Sequence, residues 1–284
     1  MVEGKFMSIH RFSTLAVILL AVVALSGCGN FPNGPLAARD TVEETRALDP
    51  DGRFELSNIN GRITLRTWSQ DSVRIEAERA AVTEEMLEQI EIVIEGEGSA
   101  VQVKTRYPKG KGWFMGGNRG KVAYEITVPR GAEVRLKTVN GQVDVEGLHG
   151  SLRVESVNGG LDLADIGGEV RAKTVNGGIH ADFDHVPDAA RHQFETVNGG
   201  IDLTIPEGTG GRLEAKTVNG SIGCDLPLEV TTKKKRRLEG RLGPGEGHFD
   251  LGTVNGGIDV AAGLGRTPAE APDNPEGESE SEAS

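Results

Sequence analysis

The stretch Thr196-Val197-Asn198-Gly199-Gly200-Ile201-Asp202-Leu203 decides the fold. Its triplet Val-Asn-Gly returns along the chain, with the asparagines at Asn140, Asn158, Asn176, Asn198, Asn219 and Asn255. The intervals are 18, 18, 22, 21 and 36 residues, and recurrence on this scale marks a repeat architecture. The last interval is twice 18, which reads as a copy whose signature is lost inside an insertion.

Aligned on the asparagine, the copies agree position by position. Four residues before it stand Leu136, Val154, Ala172, Phe194, Ala215 and Leu251, and two before it stand Thr138, Ser156, Thr174, Thr196, Thr217 and Thr253. Three residues after it stand Val143, Leu161, Ile179, Ile201, Ile222 and Ile258. The intervening positions are mostly polar, so each copy is a pair of half-buried strands around a turn. Asn60 fits the same template, with Phe54, Leu56, Ile63 and Leu65 around it.

Two all-β architectures satisfy this pattern. In a meander, each Asn-Gly is a tight hairpin turn, since both residues tolerate positive φ. In a β-solenoid of 18–22 residues per coil, Asn-Gly is a corner. An 18-residue coil has a perimeter of roughly 60 Å, and stacked corners let the asparagine amides form a ladder. A hairpin needs only Asn-Gly. The valine that precedes each asparagine therefore points to one environment repeated by translation, which favours the solenoid over the meander.

The N-terminus carries a different signal. Lys5, His10 and Arg11 precede an apolar run from Leu15 to Leu25, the length of a signal-peptide core and short for a membrane span. The run ends in Leu25-Ser26-Gly27-Cys28, which resembles the lipobox of bacterial lipoproteins. The resemblance implies cleavage before Cys28, lipidation of its thiol with diacylglycerol and further acylation such as palmitate. Several acyl chains anchor firmly, at about 0.8 kcal/mol per buried CH₂. The resemblance, taken to Gram-negative lipoproteins, also implies that Gly29 in place of Asp after the cysteine favours the outer membrane over the inner, with the domain facing the periplasm or the cell surface.

The organisation expected is a signal peptide at 1–27, a tether at 28–49, a smaller β-rich region at 50–130 and the β-repeat domain at 131–263. Within the repeat domain 226–248 reads as an insertion, and 264–284 reads as an acidic tail too poor in apolar residues to fold. Thr83–Gln89 reads as a short capped helix and Tyr107–Lys121 as a long loop.

Composition narrows the function. A net charge of −12 lacks the basic footprint that a general nucleic-acid binder needs. Cys28 and Cys224 are the two cysteines, so lipidation of Cys28 leaves Cys224 without an intrachain partner. Cys224 sits in a core column and reads as an inert apolar filler. No nucleophile elbow, phosphate loop, dinucleotide fingerprint or zinc signature occurs, and no cofactor is implied. The cluster His180, Asp182, Asp184 and His185 is the one most like a metal site, but His180 shares a column with Asp144, Asp162, Asp202 and Asp259, which reads as a polar outer face. Competing readings of that column are acid–base chemistry on a polysaccharide and Ca²⁺ binding. The basic block Lys233-Lys234-Lys235-Arg236-Arg237 reads as a solvated loop able to touch anionic lipid or polysaccharide.

The repeated units from Thr138–Val145 to Thr253–Val260, behind an export signal, resemble a bacterial family of β-strand-repeat domains of unknown function whose members carry the label "putative adhesin". The resemblance spans Asp51 to Gly263 and implies a non-catalytic envelope role, with no catalytic residues to carry over. The expected function is a non-enzymatic cell-envelope lipoprotein, held to the membrane through Cys28, that presents a rigid surface to an envelope protein or polysaccharide. The alternatives are an envelope-stress accessory protein that binds a membrane partner, and a polysaccharide-active β-helix enzyme. The low aromatic content weighs against the enzyme.

Overall fold

A computed structural model describes residues 36–108 and 120–263. Cys28, the signal peptide, the first part of the tether, the middle of the 107–121 loop and the tail at 264–284 lie outside the described residues.

Each repeat contributes one strand to each of two parallel sheets that face one another. In the central coils these are β7 (Glu133–Lys137) with β8 (Val143–Glu146), β9 (Leu152–Glu155) with β10 (Leu161–Ile166), β11 (Val170–Lys173) with β12 (Ile179–Phe183), and β13 (Arg191–Asn198) with β14 (Ile201–Pro206). Pairing is parallel and in register between successive coils: Leu136 meets Val154, which meets Ala172, which meets Phe194. On the other sheet Val143, Leu161, Ile179 and Ile201 align in the same way. These columns are buried and form the core between the sheets. A hairpin at Asn-Gly would pair each strand antiparallel to its own partner, so the structure is the solenoid and not the meander.

Coil order departs from chain order at both ends. β1 (Ala38–Ser57) and β2 (Ile63–Trp68) form a coil that lies beside β7 and β8. On its other side lies a coil made later in the chain, from β5 (Gly98–Arg106) and β6 (Gly120–Pro129). At the opposite end the chain runs from β14 to β15 (Gly211–Asn219) and β16 (Ile222–Cys224), leaving an intervening layer open. The final strands, β19 (His248–Asn255) and β20 (Ile258–Gly263), fill that layer: β19 pairs with β13 and β15, and β20 with β14 and β16.

Antiparallel strands close most of the sheet ends. β3 (Ser72–Ala81) joins β6 to the first half of β1, and β4 (Glu91–Glu95) covers β5. At the far end β18 (Arg237–Leu242) pairs with β15 and is itself covered by β17 (Leu228–Lys234). Capping of this kind is what a solenoid needs to keep its terminal edges from associating.

Two expectations are corrected. The 36-residue interval hides no lost copy: it holds β16, the antiparallel β17–β18 hairpin and the return into the skipped layer. The tether does not reach residue 49, because β1 begins at Ala38 and pairs with β3 from Ala38–Ala81 to Ala47–Ser72. The β-rich region at 50–130 forms coils and capping strands of the same solenoid, since Phe54, Ile75, Val103 and Ile126 belong to the same buried cluster as the repeats. The short helix is present as α1 (Glu84–Glu88), and the Oγ1 of its cap Thr83 accepts from the backbone N–H of Met86 at 3.3 Å.

Candidate interaction surfaces

The corner of the solenoid is a single structure repeated by translation. In spatial order the asparagines are Asn60, Asn140, Asn158, Asn176, Asn198, Asn255 and Asn219. Each Nδ2 donates to the Oδ1 of the asparagine before it, at 2.7–2.9 Å. At the first coil the Nδ2 of Asn60 donates to the Gly120 carbonyl at 3.3 Å. All amides of the ladder point the same way, so their dipoles add along the rod.

The neighbouring positions serve the same stacking. The hydroxyls of Thr174, Thr196, Thr253 and Thr217 donate to the carbonyl of the glycine after the asparagine in the adjacent coil, at 2.8–2.9 Å. In the first coil Asn58 replaces the threonine, and its Nδ2 donates to the Val122 carbonyl at 2.9 Å. The glycine after each asparagine is required by close backbone approach. A Cβ on Gly159 would lie 2.0 Å from the Gly141 oxygen. The second glycine is under no such constraint, since a Cβ on Gly160 would meet nothing closer than 3.5 Å. Other coils accordingly carry Gln142 or Ser221 there. The valines before the asparagines point outward: Val139, Val157, Val197, Val254 and Val218 are between 38% and 51% exposed. They form an apolar ridge beside the amide ladder.

The two sheet faces differ. On one, Asp144, Asp162, His180, Asp202 and Asp259 stand side by side on successive strands, as the alignment implies. Among the described residues no group of His, Cys, Asp and Glu is arranged to hold a metal ion. Asp184, expected near His180, turns elsewhere. Its Oδ2 lies 3.0 Å from His149 Nε2 and 3.5 Å from an Arg130 nitrogen, and it clasps two lower coils together.

On the other face Arg135, Arg153 and Arg171 form a column, and each has a carboxylate beside it. Arg135 meets Glu133 at 2.7 Å, Arg153 meets Glu155 at 2.7 Å and Arg171 meets Glu169 at 3.1 Å. Lys137–Glu155 and Lys173–Glu195 extend the pattern at 3.4 and 2.9 Å. Burial and the ion pairs act in opposite directions on Glu155, and the pairs hold its carboxyl below the usual range. Sequence alternation places these residues outside, but the identity of each ionic partner depends on which coils adjoin.

Two titratable groups lie in or near the core. Cys224 is half-buried, because its strand β16 is terminal, and burial pushes its thiol up. That keeps it protonated and unreactive, in line with a filler role. His192 occupies a core column with both ring nitrogens unpartnered, and burial lowers it to about 4. Its ring stacks on Phe249 at 4.8 Å and 15°, and Phe183 meets it edge-on at 4.8 Å.

Among the described residues no helix is long and apolar enough to cross a membrane. No protein with a curated description is similar to the chain. Solved structures similar to it include a "putative cell adhesion protein" from Clostridium sporogenes, at 11% identity and a TM-score of 0.48, covering 79% of this chain and 100% of that one. A "putative adhesin" from Bacteroides fragilis is 10% identical with a TM-score of 0.30, over 78% of this chain and 97% of its own. A "putative lipid binding protein" from Parabacteroides distasonis is 11% identical with a TM-score of 0.27, over 79% and 96%. Residues 130–261, from just before β7 to within β20, match the family described as Toastrack DUF4097.

Proposed function

We propose that this chain is a non-catalytic lipoprotein of the bacterial envelope, anchored through Cys28, whose solenoid presents a stiff, patterned side to an envelope protein or polysaccharide. The observation that carries the reading is the corner. Seven asparagines hydrogen-bonded in one direction, with an exposed valine beside most of them, make one environment repeated along the stack of coils. A periodic side of this kind suits an extended partner better than a small molecule, for which a concave apolar pocket is the usual site. The lipobox supplies the attachment, and the described domain begins close behind it, at Leu36.

The test is membrane fractionation of cells that express the full chain or Cys28→Ala, followed by protease treatment of intact cells. The expected result is wild type in the outer-membrane fraction and release of Cys28→Ala. Cleavage on intact cells assigns the partner to the exterior, and protection assigns it to the periplasm. Identical fractionation of the two chains would contradict the anchoring.

A further inference from the structure

On the arginine-bearing face the carboxylate partners give out at one place. Arg191 on β13, His248 on β19, Arg212 on β15 and Arg241 on β18 occupy laterally adjacent positions, since Arg191 and Arg212 each align with His248 and Arg212 aligns with Arg241. Four strands place the outer two arginines roughly 14 Å apart at the backbone. Between them lies an open depression of about 460 Å³, also lined by Ala189 and by the segment Gly245–Gly247.

The charge state of this row differs from the column at Arg135, Arg153 and Arg171. Among the described residues Arg191 has no ion pair. Arg241 donates only to the Gly245 carbonyl, at 3.0 Å, and Arg212 meets Glu239 no closer than 4.0 Å, with Glu214 in electrostatic reach beyond ion-pair distance. Glu246 lines the depression and Glu229 lies across from Arg241 on β17, yet neither comes within ion-pair distance of an arginine. Directly opposed like charges on neighbouring strands are destabilising. A protein of net charge −12 has carboxylates to spare, and it sets them beside the other arginines of this face. Ala189, at φ 60°, holds a left-handed conformation uncommon for a residue with a side chain, and such strain gathers at ligand sites.

We propose that this depression is a binding site for a multiply charged phosphate group, with Arg191, Arg212 and Arg241 as its principal donors. Guanidinium forks match phosphate oxygens in pairs, and three forks around an open hollow suit a ligand with more than one anionic oxygen to offer. The phosphate could be a soluble one or the headgroup of a lipid, and the two are separable. The site stands apart from the corner, so it does not depend on the function proposed above.

Calorimetric titration of the full chain, purified in non-ionic detergent, tests the site with two probes. Sodium tripolyphosphate stands for the soluble source, and monomeric dihexanoylphosphatidic acid for the lipid headgroup. Binding of either is expected, and the tighter probe names the source. Arg191→Gln/Arg212→Gln should weaken that binding by at least tenfold with the circular dichroism unchanged, while Arg135→Gln/Arg153→Gln should leave it within about twofold, since charge-assisted hydrogen bonds are the strong ones. If the first double variant does not fold, Arg241→Gln alone carries the test, with the same direction expected. The proposal is overturned if neither probe binds, or if the Arg135/Arg153 variant loses as much as the cradle variant, which would mean diffuse attraction and no site.

Discussion

Single residues in this fold are constrained by the coil above and the coil below. The two glycines after Asn158 show how sharply. Gly159→Ala places a methyl 2.0 Å from a backbone oxygen that cannot move without breaking the sheet, whereas Gly160→Ala meets only ordinary contact at 3.5 Å. Chemical denaturation should show a loss of about 3 kcal/mol or more for the first and within about 0.5 kcal/mol for the second. Equal losses would mean that the corner is not stacked as described. His192 provides a second residue-scale prediction. Its folded value of about 4 lies below its ordinary 6.5, so the unfolded chain binds the extra proton first. Stability is therefore full above pH 6.5 and falls as pH drops toward 4, by roughly 3 kcal/mol in all at 1.36 kcal/mol per pH unit of displacement. Neighbouring coils carry Val170 and Phe249 in this column, so His192→Leu should fold and flatten the acid limb of a stability–pH profile. An unchanged acid limb would show that the imidazole is not buried neutral.

At the scale of elements, the strands were legible and their partners were not. Alternation around each Asn-Gly gives the strand pair, the buried columns and the amide ladder, because those are fixed by local periodicity and by translation of one environment. The first half of β1 escaped because Thr41–Arg46 is rich in charge: Arg79 pairs with Asp40 and donates to the Ile90 carbonyl at 2.7 Å, contacts that no local pattern announces. The β17–β18 hairpin escaped for the same reason. Its basic turn reads as an insertion, but its strands cover the edge of β15. Replacing residues 228–242 with a short Gly-Ser link should bare that edge, and size-exclusion chromatography should then show self-association. A variant that stays monomeric and folded would show that the hairpin is not a cap.

At the scale of the whole molecule, the decisive feature is the order of the coils. Both terminal layers come from inner parts of the chain, and the first and last coils in sequence are each held between two others. The spacing of 36 residues could not disclose this, since a skipped layer and a lost copy produce the same interval. The consequence is mechanical: the end of the described domain is clamped on both faces and does not fray as a terminal repeat would. The cradle of Arg191, Arg212 and Arg241 exists only because β19 enters between β13 and β15. One measurement decides this arrangement. In a Cys224→Val background, paired cysteines at Asp202 and Asp259 lie on adjacent, aligned strands, whereas Asp202 and Gly223 are separated by β20. Oxidation followed by mass spectrometry should find an intramolecular disulfide in Asp202→Cys/Asp259→Cys and none in Asp202→Cys/Gly223→Cys. The reverse result would mean that the coils stack in chain order, and would contradict the intercalated solenoid described here.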